Sequence, residues 1–370
     1  MYDQRHPRRG RAVRVAGCAV TAAALAGLAV GCGSAKSSTK SSSGSGGTAG
    51  GTVNGSGVRI GILLPESKTT RYEAFDRPLL QAELQAKLPG VQIDYYNAGQ
   101  DAPTQQTQVD TALTKGDKVL ILDAVDSKSI QTSVQKAHDA GAKVVAYDRL
   151  AQGPVDAYVS FDNLKVGELQ GTALLDALGS GASGKQIVMI NGSPTDPNAA
   201  QFKQGAHKSL DGKVKIGKEY DTPQWDPNTA NQEMSGAITA LGAGAVNGVY
   251  SANDGMAAGI ATALSAAGLH VPLTGQDAQL DGLKRIEGGT QTMTIYKPYK
   301  PEATAAADVA VEFAQGKTPG SDLLPDKATS GSGQDVSSKL ITPIVVNKDN
   351  MCSTVVKDNL YTAAQIGITC

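Results

Sequence analysis

From residue 58 onward, short apolar runs of strand length alternate with segments of helical length, and the alternation occurs twice. Strands are expected over 58–65, 91–96, 118–123, 143–147 and 157–161, with helices over 77–87, 103–115 and 127–140 between the first four. A second run starts near residue 162, with helices over 166–178, 199–210, 228–241 and 255–267 and strands over 186–190, 214–220, 248–251, 271–275 and 292–296. Strands that alternate with helices imply parallel sheets closed by right-handed crossovers. The run Lys118-Val-Leu-Ile-Leu-Asp123 is continuously apolar, as expected of a strand covered on both faces. The fold class predicted is α/β, with two doubly wound, Rossmann-like lobes. A helix over 298–315, a Gly/Ser-rich loop over 325–338 and a late strand over 340–346 follow. The lobes are expected to comprise 58–161 plus 298–325, and 162–297 plus 326–370.

The front of the chain has a different character. Residues 1–31 join a basic stretch (Arg5, Arg8, Arg9, Arg11, Arg14) to an apolar one, the pattern of an export signal. Leu28-Ala-Val-Gly-Cys32 resembles the lipobox of bacterial lipoproteins, which implies lipidation at Cys32, with Cys18 lost in the signal. Residues 32–57, nearly all small and polar after Cys32, read as a flexible tether of about 25–30 Å mean reach. The expected location is the outer face of the cell membrane, held by the lipid. Cys352 and Cys370 in an exported domain predict a disulfide, stabilising by roughly 3 kcal/mol in the chain-entropy picture.

Removing 1–31, with five Arg and one Asp, takes the net charge from −1 to −5. That argues against a nucleic-acid partner, which needs a basic face. The four histidines (His6, His138, His207, His270) have no metal-ligand spacing. No phosphate-cradling glycine loop is present, so neither metal nor cofactor is expected.

Candidate site residues collect where strands end, the edge at which open α/β sheets bind ligands. The first run offers Arg71, Tyr72, Asp148 and Arg149. The second offers Asp196, Asn198, Trp225, Asn253 and Asp277, and the return connection offers Lys297. Charged side chains of both signs bond adjacent hydroxyls with charge-assisted strength, and aromatic rings pack on an apolar C–H face. Only 4% of residues are aromatic, so Trp225, the sole tryptophan, set between Pro223 and Pro227, is informative. The mixture suits a neutral polyhydroxylated ring. Asn198 and Asn253 also precede or open helices, where they could serve simply as caps.

The segments Val145-Ala-Tyr-Asp-Arg149, Tyr158-Val-Ser-Phe-Asp-Asn-Leu-Lys-Val-Gly-Glu168, Asn191-Gly-Ser-Pro-Thr-Asp196, Gly275-Gln-Asp277 and Gly289-Thr-Gln-Thr-Met-Thr-Ile-Tyr-Lys-Pro298 resemble the periplasmic D-xylose-binding proteins, over about 58–350. The resemblance implies a type I periplasmic-binding fold with three hinge crossings. It also implies a monomeric, non-enzymatic subunit that encloses D-xylose or a related aldose and delivers it to an ABC permease and its ATPase. By resemblance Arg71, Asp148, Arg149, Asn198, Asn253, Asp277 and Lys297 hydrogen-bond the sugar, Tyr72 and Trp225 sandwich it, and Asp196 is a weaker addition. The family usually has Trp where Tyr72 stands, followed by a different spacing to Asp76-Arg77; the loop 66–70 differs, and the cysteine pair lies outside the pattern.

Other function classes fit parts of the same pattern. A glycosidase could use two carboxylates such as Asp148 and Asp277, but Arg149 and Lys297 nearby would hold them ionised and leave no general acid. A sugar-sensing protein serving a membrane receptor, or a binder of several aldoses, is the alternative to import of xylose alone. A sugar-responsive repressor would need a DNA-reading helix pair where this chain has a signal and a tether.

Overall fold

The computed structural model of the protein describes residues 54–370. The export signal, Cys32 and nearly all of the tether lie outside the described residues. No helix among the described residues is long and apolar enough to cross a membrane.

The first run forms β1 (Arg59–Leu64), α1 (Arg77–Lys87), β2 (Gln92–Asn97), α2 (Ala102–Lys115), β3 (Val119–Leu122), α3 (Gln131–Asp139), β4 (Lys143–Tyr147) and β5 (Ala157–Phe161). The second forms α4 (Asn163–Leu178), β6 (Gln186–Asn191), α5 (Pro197–Leu210), β7 (Lys215–Asp221), α6 (Pro227–Leu241), β8 (Gly248–Ser251), α7 (Asp254–Ala266), α8 (Leu280–Glu287) and β9 (Thr294–Tyr296). Then come α9 (Tyr299–Ala314), β10 (Asp326–Thr329), β11 (Asp335–Ile341), β12 (Ile344–Val346) and α10 (Ala363–Ile366).

Helix starts follow from capping chemistry. Asp101, Asp162, Asp196, Asp226 and Asn253 each accept a backbone N–H of the first turn of α2, α4, α5, α6 and α7, which satisfies a donor the helix itself leaves unpaired. Helices α4 and α5 pack closely because Gly167 and Gly205 face each other's backbone. A Cβ on Gly167 would lie 1.9 Å from the Phe202 carbonyl oxygen, and one on Gly205 2.0 Å from that of Leu164.

Seven strands form the first sheet, in the order β10-β11-β5-β4-β3-β1-β2, all parallel except the antiparallel β10. Its two faces are covered by separate apolar clusters, one including α1 and α9 residues, the other α2 and α3 residues. The second lobe is built on the parallel sheet β7-β6-β8. Its core runs from Val166 to Ile295. Strands β9 and β12 pair antiparallel beside it.

Three differences from expectation have physical causes. The Gly/Ser-rich stretch expected as a loop holds the β10–β11 hairpin, and β11 pairs with β5. Residues 326–341, expected in the second lobe, therefore complete the first sheet. The strand expected over 340–346 is two strands: Pro343 cannot donate to a ladder, and the chain passes there from the first sheet to β12. The strand expected over 271–275 is reduced to one bridge, Leu273 to Val249, beside Pro272, which also lacks a donor. The chain thus crosses between lobes three times, after β5, after β9 and after β11.

The tail closes with a disulfide between Cys352 and Cys370. It packs on α8 and β12 through Met351, Val355 and Ile366. Tyr361 of this tail sets its ring edge-on to Phe75 of the first lobe, centroids 5.6 Å apart, and Phe75 in turn stacks on Tyr299.

Candidate functional site

The carboxyl ends of both sheets face each other across a small cleft between the lobes. Tyr72, Asp148, Arg149, Asp196, Asn198, Trp225, Asn253, Asp277 and Lys297 all line it. The side chains expected from strand ends scattered over more than 200 positions are therefore brought together.

Arg71 is the exception. It is 1% exposed and lies behind the lining. Its guanidinium donates Nε (2.7 Å) and Nη2 (3.0 Å) to Asp76, Nη2 to Glu302 (2.6 Å) and Nη1 to Asp148 (3.0 Å). With its donors engaged by three carboxylates, Arg71 positions Asp148 and does not line the space. Burial raises the pKa of Asp76 and Glu302, against the pull of Arg71. Asp148 behaves oppositely. Burial pushes its carboxyl up, but Arg71, Lys297 and Arg149 together outweigh that and hold it down to about 2. It is a permanent acceptor at neutral pH and cannot act as a general acid.

Tyr72 opens a π-helical turn over Tyr72–Asp76. Such a turn accommodates an extra residue, and it falls where the spacing to Asp76-Arg77 departs from the family pattern. The Tyr72 hydroxyl donates to Asp148 Oδ2 (3.1 Å) and accepts from Arg149 Nη2 (3.0 Å). Asp148 itself has φ 56°, and its carbonyl accepts from Tyr158, Ser160 and Asn198.

The second lobe's residues are held mainly by helix starts. Asp196 accepts from the Asn198 backbone N–H (2.9 Å) and from Trp225 Nε1 (3.2 Å). Asn253 Oδ1 accepts from the Met256 N–H (2.8 Å). Capping and lining therefore coexist in Asp196 and Asn253. Trp225 (φ 54°) sits in a short 3-10 turn, with its indole over Gly192. A Cβ on Gly192 would fall 1.9 Å from the ring, so only glycine admits the indole there. Lys297 Nζ lies 3.0 Å from Asp277 Oδ1 and 4.0 Å from Asp148 Oδ1, joining the two halves of the site.

The lobes touch around the space. Arg149 Nε is 2.9 Å from Asp196 Oδ2, Asn198 Nδ2 donates to the Asp148 carbonyl at 3.0 Å, and Ser127 N–H donates to the Thr195 carbonyl at 3.3 Å. At the rim, Lys68 and Asp226 are 3.7 Å apart.

Three lining residues were missed: Thr69, Phe202 and Gln276. Phe202 stands one helical turn after Asn198 on α5, so helical periodicity places both on one face; its ring lies edge-on to Trp225, centroids 6.3 Å apart. Gln276 lies inside the motif Gly275-Gln-Asp277. Thr69 belongs to the divergent loop and carried no signal. Among the described residues, no cluster of three or more His, Cys, Asp or Glu could hold a metal.

A profile of the periplasmic binding protein domain matches residues 60–318. The D-xylose-binding periplasmic protein of Escherichia coli is 36% identical over 84% of this chain and 92% of that protein. The multiple sugar-binding periplasmic receptor ChvE of Rhizobium radiobacter is 35% identical over 83% and 92%. A crystal structure of an ABC transporter solute-binding protein from Clostridium phytofermentans, with bound β-D-glucose, superposes with a TM-score of 0.76 at 26% identity, covering 83% of this chain and 99% of that one. With its two lobes, three crossings and facing strand ends, the chain belongs to the periplasmic binding protein family, of type I fold, and is a binding protein rather than an enzyme.

Proposed function

We propose that the protein captures a neutral monosaccharide outside the cytoplasmic membrane, D-xylose first among candidates, and delivers it to an ABC-type importer. The observation that carries this reading is the cleft between the lobes, lined by donors and acceptors from both and by the rings of Tyr72 and Trp225. The ionised Asp148 and the side chain of Asp277 accept from hydroxyls, while Arg149 and Lys297 donate to them. Trp225 and Tyr72 flank the ring's C–H faces. A ligand gripped by both lobes favours the closed arrangement because it contacts both only there. The names of the relatives, one for xylose and one for several sugars, support an aldose and leave xylose as the first of several to try. Calorimetric titration with pentoses and hexoses tests the reading. Micromolar or tighter binding of xylose supports it, and no aldose bound tighter than millimolar overturns it.

The lipobox supports attachment to the membrane through Cys32, with the tether giving the lobes freedom to reach a permease. Stable anchoring takes more than one acyl chain, so Cys32→Ala is expected to release the protein from the membrane fraction. Retention of this variant on the membrane would sink the anchor.

A further inference from the structure

Most polar groups around the enclosed space are already engaged by the protein. Asp148 accepts from Arg71 and Tyr72, Asp196 from Trp225 and the start of α5, and Asn253 from the start of α7. Asn198 bridges Asn163 and the Asp148 carbonyl, and Lys297 pairs with Asp277.

Gln276 differs. It is 2% exposed and lines the space. Its Oε1 is buried with no hydrogen-bond partner among the described residues, as are Asp277 Oδ1 and Arg149 Nε, but those two face an ion-pair partner and Gln276 Oε1 does not. Its backbone, in contrast, is pinned: the carbonyl accepts from the Asp254 N–H at 2.9 Å, and the next residue, Asp277, donates its N–H to the Ile295 carbonyl at 2.8 Å. A rigidly placed, buried and unpaired carboxamide is unfavourable for the folded chain by itself. In a residue that lines a binding space, such a group is one a ligand can satisfy.

We propose that Gln276 is a specificity-determining residue of the sugar site, whose carboxamide bonds one hydroxyl of the ring directly and makes that hydroxyl obligatory. This rests on the reading of the space as an aldose site. The ligand class it selects is an aldose carrying a hydroxyl at that one ring position. The charged residues grip hydroxyl pairs that many aldoses share. Gln276 adds a neutral reader whose polar atom is left unpaired by a sugar that lacks the hydroxyl, the situation in which a site rejects an analogue most strongly.

The test is titration of the wild type and Gln276→Leu with the best-bound aldose and its complete set of monodeoxy derivatives, together with thermal melting without sugar. The wild type is expected to lose about 10–100-fold in affinity for one derivative specifically through this contact, the cost of leaving one buried neutral group unpaired. Gln276→Leu is expected to bind that derivative and the parent sugar within about twofold, and to keep the wild-type ratios for the other derivatives. Its melting temperature without sugar should equal or exceed that of the wild type, because an unpaired buried group has been removed. Unchanged discrimination in Gln276→Leu overturns the assignment. So does a lowered melting temperature with uniformly weaker binding of every sugar, the mark of a packing residue. A wild type that binds no aldose overturns the sugar reading and this assignment with it, whereas a wild type that binds sugars alongside an unaltered variant overturns the role of Gln276 alone.

Discussion

The two lobes fix the residues that line the site by different means. In the first, Asp148 is fixed by a buried network of side chains, Arg71, Tyr72, Asp76 and Glu302, drawn from positions up to 231 residues apart. In the second, Asp196 and Asn253 are fixed by the first turn of the helix they open, within three residues of themselves. A side chain held by its own helix start can be replaced at the cost of a cap. One held by a buried ionic network cannot, because every partner removed leaves a charge uncompensated.

Arg71→Met is the strongest way to break that contrast. It strands the carboxylates of Asp76, Asp148 and Glu302 in a buried site, and about 3–5 kcal/mol of stability should be lost. Denaturant unfolding measures this, and a loss below about 1 kcal/mol would mean that the network does not hold the first lobe as described. Asp148→Asn should weaken sugar binding by about 1.5–3 kcal/mol, the contribution of hydrogen bonds to a charged group, read by calorimetry. Its pH signature is separate. A folded pKa of about 2, below the usual carboxylate value, contributes stability that is present above about pH 4 and is lost as pH falls through 2. That contribution is on the order of 2 kcal/mol, and Asp148→Asn should flatten the acid limb of the unfolding profile accordingly.

Asn253→Ala probes the second lobe. Loss of the α7 cap should cost about 1 kcal/mol, and a loss as large as that of Arg71→Met would erase the difference between lobes. The smallest effect is expected of Tyr361→Leu, which removes the aromatic contact with Phe75 that joins the tail to the first lobe. About 0.5–1.5 kcal/mol is at stake beyond area burial, and a melting temperature unchanged within error would show that the contact joins nothing.

The same contrast explains what could be read from the sequence. Local causes were legible: the strands over 143–147, 157–161 and 248–251 and the helix over 77–87 fall where their apolar runs put them, and the strand-end residues converge as α/β topology demands. Causes that depend on distant partners were not. Nothing near Arg71 announces that Asp148 and Glu302 will take its donors, so it was read as a ligand residue. The β10–β11 hairpin is polar and small, and along β11 only Val336 and Ser338 are buried. Its strand character comes from pairing with β5, not from its own apolar pattern. Gln276 was visible only as a letter between two motif residues, because what singles it out is the absence of a partner in three dimensions.

The late return of the chain to the first sheet has a consequence for biogenesis. A polypeptide made from its amino end presents β1 to β5 long before β11 and the helix α9 exist, so the β5 edge stays unpaired, and one sheet face has α1 but not α9, while the entire second lobe is synthesised. Unpaired edges of this kind recruit neighbouring chains. That edge of the nascent first half is satisfied only once β11 has been made.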